Sequence, residues 1–280
     1  MKKVIFVVIL SLSTAIYADT MRNHWVVKTY KENEYAHQLL QLALDSTIES
    51  HGTYQLTANN TRLSFNRSSY MLEQGHDFQI AYFGASQGVN KNLIPIKVPL
   101  YRGLLGYRLL VANHKNAKKL SKVKCIEELR TFKAGFNSQW SDFPIFATNK
   151  LKVETATNIL NLYSMLNYER FDYFPRSLRE VDQELTRFKA HSNTLEVVDN
   201  VALFYPHPVY YHVSPQFESL AKRIEAGLEN ILLSGQFRSL FNKYHNKYIQ
   251  KYTPVKRNVI YLKRYQNNDL PYVSWWFKPN

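Results

Sequence analysis

The stretch LLGYRLLVA, residues Leu104–Ala112, is a strongly apolar run that predicts a buried β-strand. On both sides of it, segments with the period of a strand alternate with segments that have the period of a helix. The clearest helix begins at Ser214, where a capping residue precedes proline, and continues to Gly235. Its apolar side chains keep the helical period: Leu220, Ile224, Leu228, Ile231 and Leu232. This alternation is typical of an α/β fold.

The N-terminus has the pattern of a secretory signal peptide. Lys2 and Lys3 precede an apolar run, Val4–Leu10, and Ala18 is a small residue suited to the cleavage site. The run is too short to span a bilayer, and no later stretch approaches that length. A buried N-terminal strand, the alternative, gives the two lysines no role. We therefore expect export of the chain, cleavage after residue 18 and no stable membrane insertion.

The composition is basic, with 36 Lys and Arg against 22 Asp and Glu and a net charge of +14. The basic residues are scattered, and an export signal argues against nucleic acid as a partner. The densest group, between Lys115 and Lys124, is typical of a solvated loop and helix start. Cys125 is the only cysteine, so no internal disulfide forms, and its apolar neighbours predict a small buried side chain.

The segment Gly84–Gly88, GASQG, matches the nucleophile elbow of esterases and lipases. That motif requires a helix after the serine, but Pro95 would break a helix within two turns. A serine hydrolase that uses Ser86 is therefore an alternative, and a flexible loop at the end of a strand is the favoured interpretation. The sequence predicts no catalytic residue.

Metal and cofactor sites are not predicted. The nine histidines form no helical His-x-x-x-His pair and join no Cys/His cluster, and no phosphate loop or dinucleotide fingerprint is present. His207 and His212 are interpreted as ordinary polar residues.

Two segments follow predicted strands, where ligands bind in open α/β sheets. In Phe136–Asp142, the amides together with Ser138 and Ser141 suit a polar or anionic group, and Trp140 suits stacking on a ligand. A plain helix cap by Ser141 with Trp140 in the core is an equally weighted alternative.

In the second segment, Arg170–Arg176, the guanidinium of Arg176 emerges at a strand end and suits a carboxylate or phosphate. The alternative for Arg176 is a surface ion pair with Glu180, one turn further along.

The chain resembles the family-3 solute-binding proteins, which have the type II periplasmic binding protein fold, over about Trp25 to Tyr248. It is most similar to an uncharacterised bacterial branch marked by three strings in order, which are LIPIKVPL at 93–100, GLLGYR at 103–108 and RFDYFPR at 170–176. The resemblance implies a two-lobed α/β fold in which two crossing strands, near Leu109–Asn113 and Val209–Val213, form a hinge. It implies a ligand cleft between the lobes.

The corresponding division of the chain is a signal peptide at 1–18, the first part of lobe 1 at 19–110, an inserted lobe 2 at 111–207, and at 208–280 the return to lobe 1 with the C-terminal tail. Amino-acid binders of this family hold the ligand carboxylate with an Arg that follows a Ser or Thr. Ser86 matches the hydroxyl position, but the Arg position falls near Val89. Arg176 stands where such binders place an acidic residue for the ligand amine.

The function predicted is that of a periplasmic, non-enzymatic binding protein for a small polar, anionic or amino-acid-like ligand, without a cofactor. The candidate ligand-binding residues are Tyr30, Ser86, Ser138, Gln139, Trp140 and Arg176. The expected partners are the small-molecule ligand and a membrane transporter or sensor, and the protein is expected to be a monomer. A binding fold that has lost its ligand and serves as a protein interaction module is a further alternative.

Overall fold

A computed structural model of the chain describes residues 25–31, 33–61, 63–84, 91–189, 194–253, 256–264 and 270–278. The predicted signal peptide, Ser86 and most of the GASQG segment lie outside the described residues. No described helix is both long and apolar enough to cross a membrane.

The described chain forms two compact units. Unit 1 comprises Met1–Tyr82, Asn90–Ile96 and His212–Leu240, and unit 2 comprises Phe83–Val89, Lys97–Tyr211 and Phe241–Asn280, in each case as far as the chain is described. The segments 97–110 and 241–280, which the sequence analysis placed in lobe 1, belong to unit 2. The division into lobes that move against each other remains a prediction, because compactness does not report motion.

Unit 1 is built on a five-stranded sheet in the order β2-β1-β3-β10-β4. Its strands are β1 (Trp25–Tyr30), β2 (Tyr54–Asn59), β3 (Ile80–Gly84), β4 (Ile94–Ile96) and β10 (Val209–Val213). Its helices are α1 (Glu34–Asp45), α2 (Ile48–His51), α3 (Phe65–Gln74) and α9 (Glu218–Leu233). β1 runs parallel to β2 and β3. The chain passes between the units within β3 and within β10.

Unit 2 contains a four-stranded sheet in the order β11-β9-β5-β8 and the parallel pair β6-β7. The strands are β5 (Tyr107–Asn113), β6 (Lys133–Phe136), β7 (Lys152–Thr155), β8 (Phe174–Ser177), β9 (Leu195–Phe204) and β11 (Asn258–Tyr261). The helices are α4 (His114–Leu120), α5 (Ile126–Leu129), α6 (Phe143–Thr148), α7 (Ile159–Asn167) and α8 (Val181–Arg187), together with α10 (Gln236–Tyr252), which begins in unit 1. β5 is antiparallel to both β8 and β9, and β11 is parallel to β9.

The apolar run that predicts a buried strand is confirmed as β5, all seven residues of which are buried. Because β5 has a strand on either side, its alternate side chains pack on both faces of the sheet. One of the buried side chains is Arg108, a charge inside the core of unit 2. That charge requires compensation, and its partners define the site described next.

Candidate functional site

The loop after β6 is held by Asn137, which is buried. Its side-chain amide donates to the carbonyl of Thr157 at 2.9 Å, and its Oδ1 accepts from the backbone N–H of Gln139 at 2.8 Å. This is an Asx-type turn, in which the side chain replaces backbone pairing and fixes the loop. Ser138 and Gln139 are both exposed on the turn. Two of the predicted ligand-binding side chains are therefore adjacent, accessible and carried by a fixed backbone.

Trp140 lies in an aromatic cluster of unit 2. Its ring is stacked with Phe174, at 6.1 Å between centroids and 7° between planes, and meets Phe136 edge-on at 5.2 Å. The guanidinium of Arg176 lies 4.5 Å from the centroid of the same ring. The structure therefore brings the predicted site residues Trp140 and Arg176 together, but they pack on each other. The half-buried indole agrees with the alternative in which Trp140 belongs to the core.

Arg176 is buried and bound to two glutamates. Its Nε and Nη2 atoms lie 2.6 and 2.5 Å from the two carboxylate oxygens of Glu184, and Nη2 lies 3.0 Å from Glu180 Oε2. Burial by itself lowers the pKa of Arg176, but Glu180 and Glu184 raise it above the ordinary value. The ion pair with Glu180 that the sequence suggests as an alternative is present. A ligand carboxylate would have to displace Glu184 to reach this guanidinium.

Arg108 of β5 forms a second buried ion pair, with Asp142. Its Nη2 donates to Asp142 Oδ2, and its Nε donates to the hydroxyl of Tyr205 at 2.7 Å. That hydroxyl in turn donates to Asp142 Oδ2 at 2.7 Å. Burial raises the pKa of Asp142, but the charge of Arg108 and the Tyr205 hydrogen bond contribute to a net pKa below the usual value. Asp142 is therefore a buried carboxylate that stays ionised.

Neither Arg108 nor Asp142 is among the site residues predicted from the sequence. A charged residue inside an apolar run was the available signal, because a buried arginine requires a buried acid. The acid itself could not be identified, since Asp142 lies 34 residues away and its position depends on the fold.

The two ion pairs join into one group, which we call the buried ionic cluster. Nη1 of Arg108 lies 3.7 Å from Glu180 Oε2, and the charge of Arg179 also acts on Glu180. The members are Arg108, Arg176 and Arg179 with Asp142, Glu180 and Glu184. Within the described chain, Arg108 and Arg176 are thus ion-paired with three carboxylates, and the charge of Arg179 acts on one of them. Neither Arg108 nor Arg176 is open to an anionic ligand.

A serine–histidine pair lies beside the cluster. Ser141 Oγ is 3.1 Å from Nε2 of His207, which is buried. Burial is the main cause that lowers the pKa of His207, so the imidazole is neutral at pH 7. A Cβ atom on Gly84 would overlap Ser141 Oγ and lie 2.6 Å from His207 Nε2. Only glycine fits there, and its backbone packs directly against the pair.

The two remaining candidates have different outcomes. Tyr30 ends β1 in unit 1, where its ring lies 5.5 Å from Phe78 and its hydroxyl accepts from the N–H of Leu63 at 3.3 Å. It is buried and serves packing in unit 1. Ser86 lies outside the described residues, so its role stays a prediction.

No protein-family model matches the chain, and a search of curated proteins finds no significant match. Solved structures do match. The probable amino-acid ABC transporter extracellular-binding protein ytmK from Bacillus subtilis has a TM-score of 0.57 and 16% identity, covering 79% of this chain and 97% of that one. The periplasmic VFT2 domain of Bordetella pertussis BvgS has a TM-score of 0.54 and 12% identity, covering 84% and 97%.

A third similar structure is the ancestral amino acid-binding protein AncCDT-1, described as a precursor of cyclohexadienyl dehydratase. It has a TM-score of 0.52 and 14% identity and covers 82% of this chain and 99% of that one. At these identities the likeness concerns the fold alone. The chain has the two-lobed α/β fold of type II periplasmic binding proteins.

Proposed function

We propose that this chain is an exported solute-binding module that binds a small polar ligand and catalyses no reaction. The observation that carries the proposal is the fixed turn after β6, on which Ser138 and Gln139 are exposed in a fold that similar proteins use for binding. Hydroxyl and amide groups held by a rigid backbone bind polar ligands without a large loss of conformational entropy.

The buried ionic cluster restricts the class of ligand. Because Arg176 is paired with Glu184 and Arg108 with Asp142, a strongly anionic ligand finds neither of these two guanidinium groups open. An amino-acid-like or other polar ligand, bound by neutral groups such as Ser138 and Gln139, agrees better with this balance than a di- or tricarboxylate does.

Export and partners complete the proposal. Two similar structures are an extracellular binding protein and a periplasmic domain, which agrees with removal of the signal peptide at 1–18 and action in the periplasm. A membrane transporter or a membrane sensor then receives the ligand or the signal. We further propose, from the three strings quoted above, RFDYFPR among them, that the chain represents a distinct branch of the family-3 proteins.

A hydrolase is the second candidate, because Ser141 and His207 form the hydrogen bond that a nucleophile and its base require. Two observations argue against it. The carboxylate of Asp142 is engaged by Arg108 and Tyr205, and Gly84 packs directly against the serine–histidine pair. A hydrolase with Ser86 as nucleophile is also still to be tested.

The test is a thermal-shift screen of the secreted protein against amino acids, di- and tricarboxylates, phosphorylated compounds and short peptides. A ligand present at about a hundred times its dissociation constant stabilises the fold by roughly 2.7 kcal/mol, which shifts the melting temperature by a few degrees. We expect such a shift with an amino-acid-like compound. No shift with any compound would contradict ligand binding and favour the interaction-module alternative.

The double variant Ser138→Ala/Gln139→Ala locates the ligand. Loss of two hydrogen bonds should weaken affinity about tenfold or more, while Asn161→Ala, on the exposed face of α7, should leave it unchanged. Undiminished affinity in the double variant would refute the assignment to this turn. Esterase activity in the wild type that disappears in Ser141→Ala or in Ser86→Ala would establish the hydrolase instead.

A further inference from the structure

Helix α10 carries basic residues and no acidic one. Its 17 residues include Arg238, Lys243, Lys247 and Lys251, and no Asp or Glu. The three lysines are spaced by four residues, so they lie along one face of the helix at intervals of about 6 Å. All three are exposed. We call this row the lysine stripe.

Each lysine of the stripe lies over the ring of the tyrosine that follows it. The Nζ atoms are 5.6, 4.7 and 5.1 Å from the ring centroids of Tyr244, Tyr248 and Tyr252 respectively. The rings support the aliphatic stems, and the ammonium groups remain exposed at the surface. The stripe is thus a repeated local arrangement.

The charges of the stripe are poorly compensated. Lys251 is paired with Asp182 of α8 at 2.7 Å, but neither Lys243 nor Lys247 makes an ion pair with any described residue. Like charges four residues apart destabilise a helix, and no acid on α10 relieves this repulsion. The other groups of α8 near this helix include Gln183, which donates to the hydroxyl of Tyr248. An anionic partner outside the described chain would compensate the charges of Lys243 and Lys247, which α8 does not.

We propose that the lysine stripe binds the anionic headgroups of a phospholipid membrane surface. Lysine ammonium groups are point charges on flexible stems, which suit mobile headgroups, whereas a fixed phosphate site favours the planar fork of arginine. The flanking exposed residues Asn242, Asn246 and Gln250 are polar, so the face lies on headgroups and inserts no apolar side chain. Tyr248 and Tyr252 are buried, so their rings are not available for stacking on bases.

This surface is independent of the proposed ligand site, because it uses none of the residues on the turn after β6. The stripe spans about 12 Å along the helix axis, which is long enough to contact several headgroups at once. Its attraction depends on ionic strength, since exposed charges are screened within a Debye length of about 10 Å at 0.1 M salt.

The experiment is co-sedimentation of the secreted protein with vesicles of phosphatidylcholine containing 30% phosphatidylglycerol, at low and at high salt. We expect binding to these vesicles, little binding to pure phosphatidylcholine, and release by salt. Each lysine near an anionic surface contributes a factor of about five to partitioning, so Lys243→Gln/Lys247→Gln/Lys251→Gln should lose about a hundredfold.

The matched control removes the same charge elsewhere. Lys118→Gln/Lys119→Gln/Lys122→Gln changes three exposed lysines on α4 and the turn after it, so it separates the stripe from net charge. Because Lys251 also pairs with Asp182, the double variant Lys243→Gln/Lys247→Gln is measured against Lys118→Gln/Lys119→Gln as well. Circular dichroism and melting temperature confirm that each variant is folded.

Three results would overturn the proposal. Equal losses in the stripe variants and in the control variants would mean that net charge alone causes binding. Absence of binding to anionic vesicles at low salt would remove the lipid surface as partner. Stripe-dependent binding to a DNA duplex or to polyglutamate that is tighter than binding to vesicles would assign the stripe to a different polyanion.

Discussion

At the scale of single residues, Arg176 compensates carboxylate charges that would be costly in the core without a cation. Arg176→Met keeps an unbranched apolar stem but leaves Glu184 and Glu180 without their main cation. Loss of one partner from a buried ion pair costs about 3–5 kcal/mol of unfolding free energy, because the remaining charge stays desolvated. Urea unfolding measures the loss.

Arg170 is the matched control, because it is an exposed arginine in the same RFDYFPR segment. Arg170→Met should change stability by no more than about 0.5 kcal/mol. If Arg176→Met costs equally little and also abolishes binding of an anionic ligand, then Arg176 is a ligand contact and the ion pairs described above do not hold it.

His245 determines part of the pH dependence of stability. It is buried in α10 between the rings of Tyr101 and Phe241, and burial, assisted by the charge of Arg179, lowers its pKa from 6.5 to about 3. Between these values the unfolded chain binds a proton that the folded chain does not. Stability is therefore fully present above pH 6.5 and falls by about 1.4 kcal/mol for each pH unit below it.

His245→Phe should reduce the slope of stability against pH by about that amount between pH 6 and pH 4, because phenylalanine keeps the ring contacts and carries no proton. The measurement is chemical unfolding at several pH values. Burial also lowers the pKa values of His207 and His37. The variant should therefore retain a smaller slope of stability against pH, with the same sign. An unchanged slope in His245→Phe would show that His245 is protonated in the folded protein.

At the scale of elements, Gly227 sets the distance between α9 and α1. A Cβ at this position would overlap the carbonyl oxygen of Ala43 in α1 and lie 2.7 Å from its carbon. In an open helix Gly→Ala stabilises by roughly 1 kcal/mol, because alanine is the better helix former. At Gly227 the close approach of the two helices makes the same substitution destabilising.

Gly227→Ala should therefore lower the unfolding free energy by about 1–3 kcal/mol, the usual cost of an overpacked contact. Glu225→Ala, an exposed position on the same helix, should be neutral or slightly stabilising. A stabilised Gly227→Ala would mean that α9 and α1 are further apart than the structure places them.

Elements with a strong local pattern could be predicted from the sequence. The helix after Ser214 is confirmed as α9. Helix α3 ends at Gly75, a residue typical of helix ends, and the glycine adopts a positive φ of 68°. The short strands β4, β7 and β11 were missed, because three or four residues carry little periodicity and their pairing is decided elsewhere in the chain. Helix α7 begins only at Ile159, because Lys152–Thr155 forms β7 and pairs with β6.

Helix α4 shows why composition can mislead. The lysines between residues 115 and 124 suggest a solvated loop with a helix start, but Asn113 caps a full helix by accepting from the N–H of Asn116. Lys115, Lys118 and Lys119 occupy its exposed face, and Ala117 and Leu120 are buried on the opposite side. The candidate site could also be predicted only in part. The turn after β6 follows from its position at the end of a strand. The ion pair between Arg176 and Glu184 could not be predicted, because no local pattern identifies Glu184 as the partner.

At the scale of the whole molecule, the C-terminal tail closes over a segment about 170 residues earlier in the chain. The N–H of Phe277 donates to the carbonyl of Arg102 at 2.7 Å, and the guanidinium of Arg102 lies 4.4 Å from the ring of Trp275. Trp276 is buried against Gly103, where a Cβ would lie 2.5 Å from its Cζ3. These contacts explain why the described part of the tail belongs to unit 2.

Trp276→Ala should consequently destabilise unit 2 although the residue lies only four positions from the end. Truncation of a buried tryptophan costs about 3–5 kcal/mol, and the backbone of 100–107 loses its cover at the same time. Hydrogen exchange is the sharper measurement, since faster exchange of the amides of 100–107 is expected in Trp276→Ala and not in Ser274→Ala, an exposed neighbour. Exchange that rises only in the tail, with 100–107 as protected as in the wild type, would show that the tail rests on a surface that is stable without it.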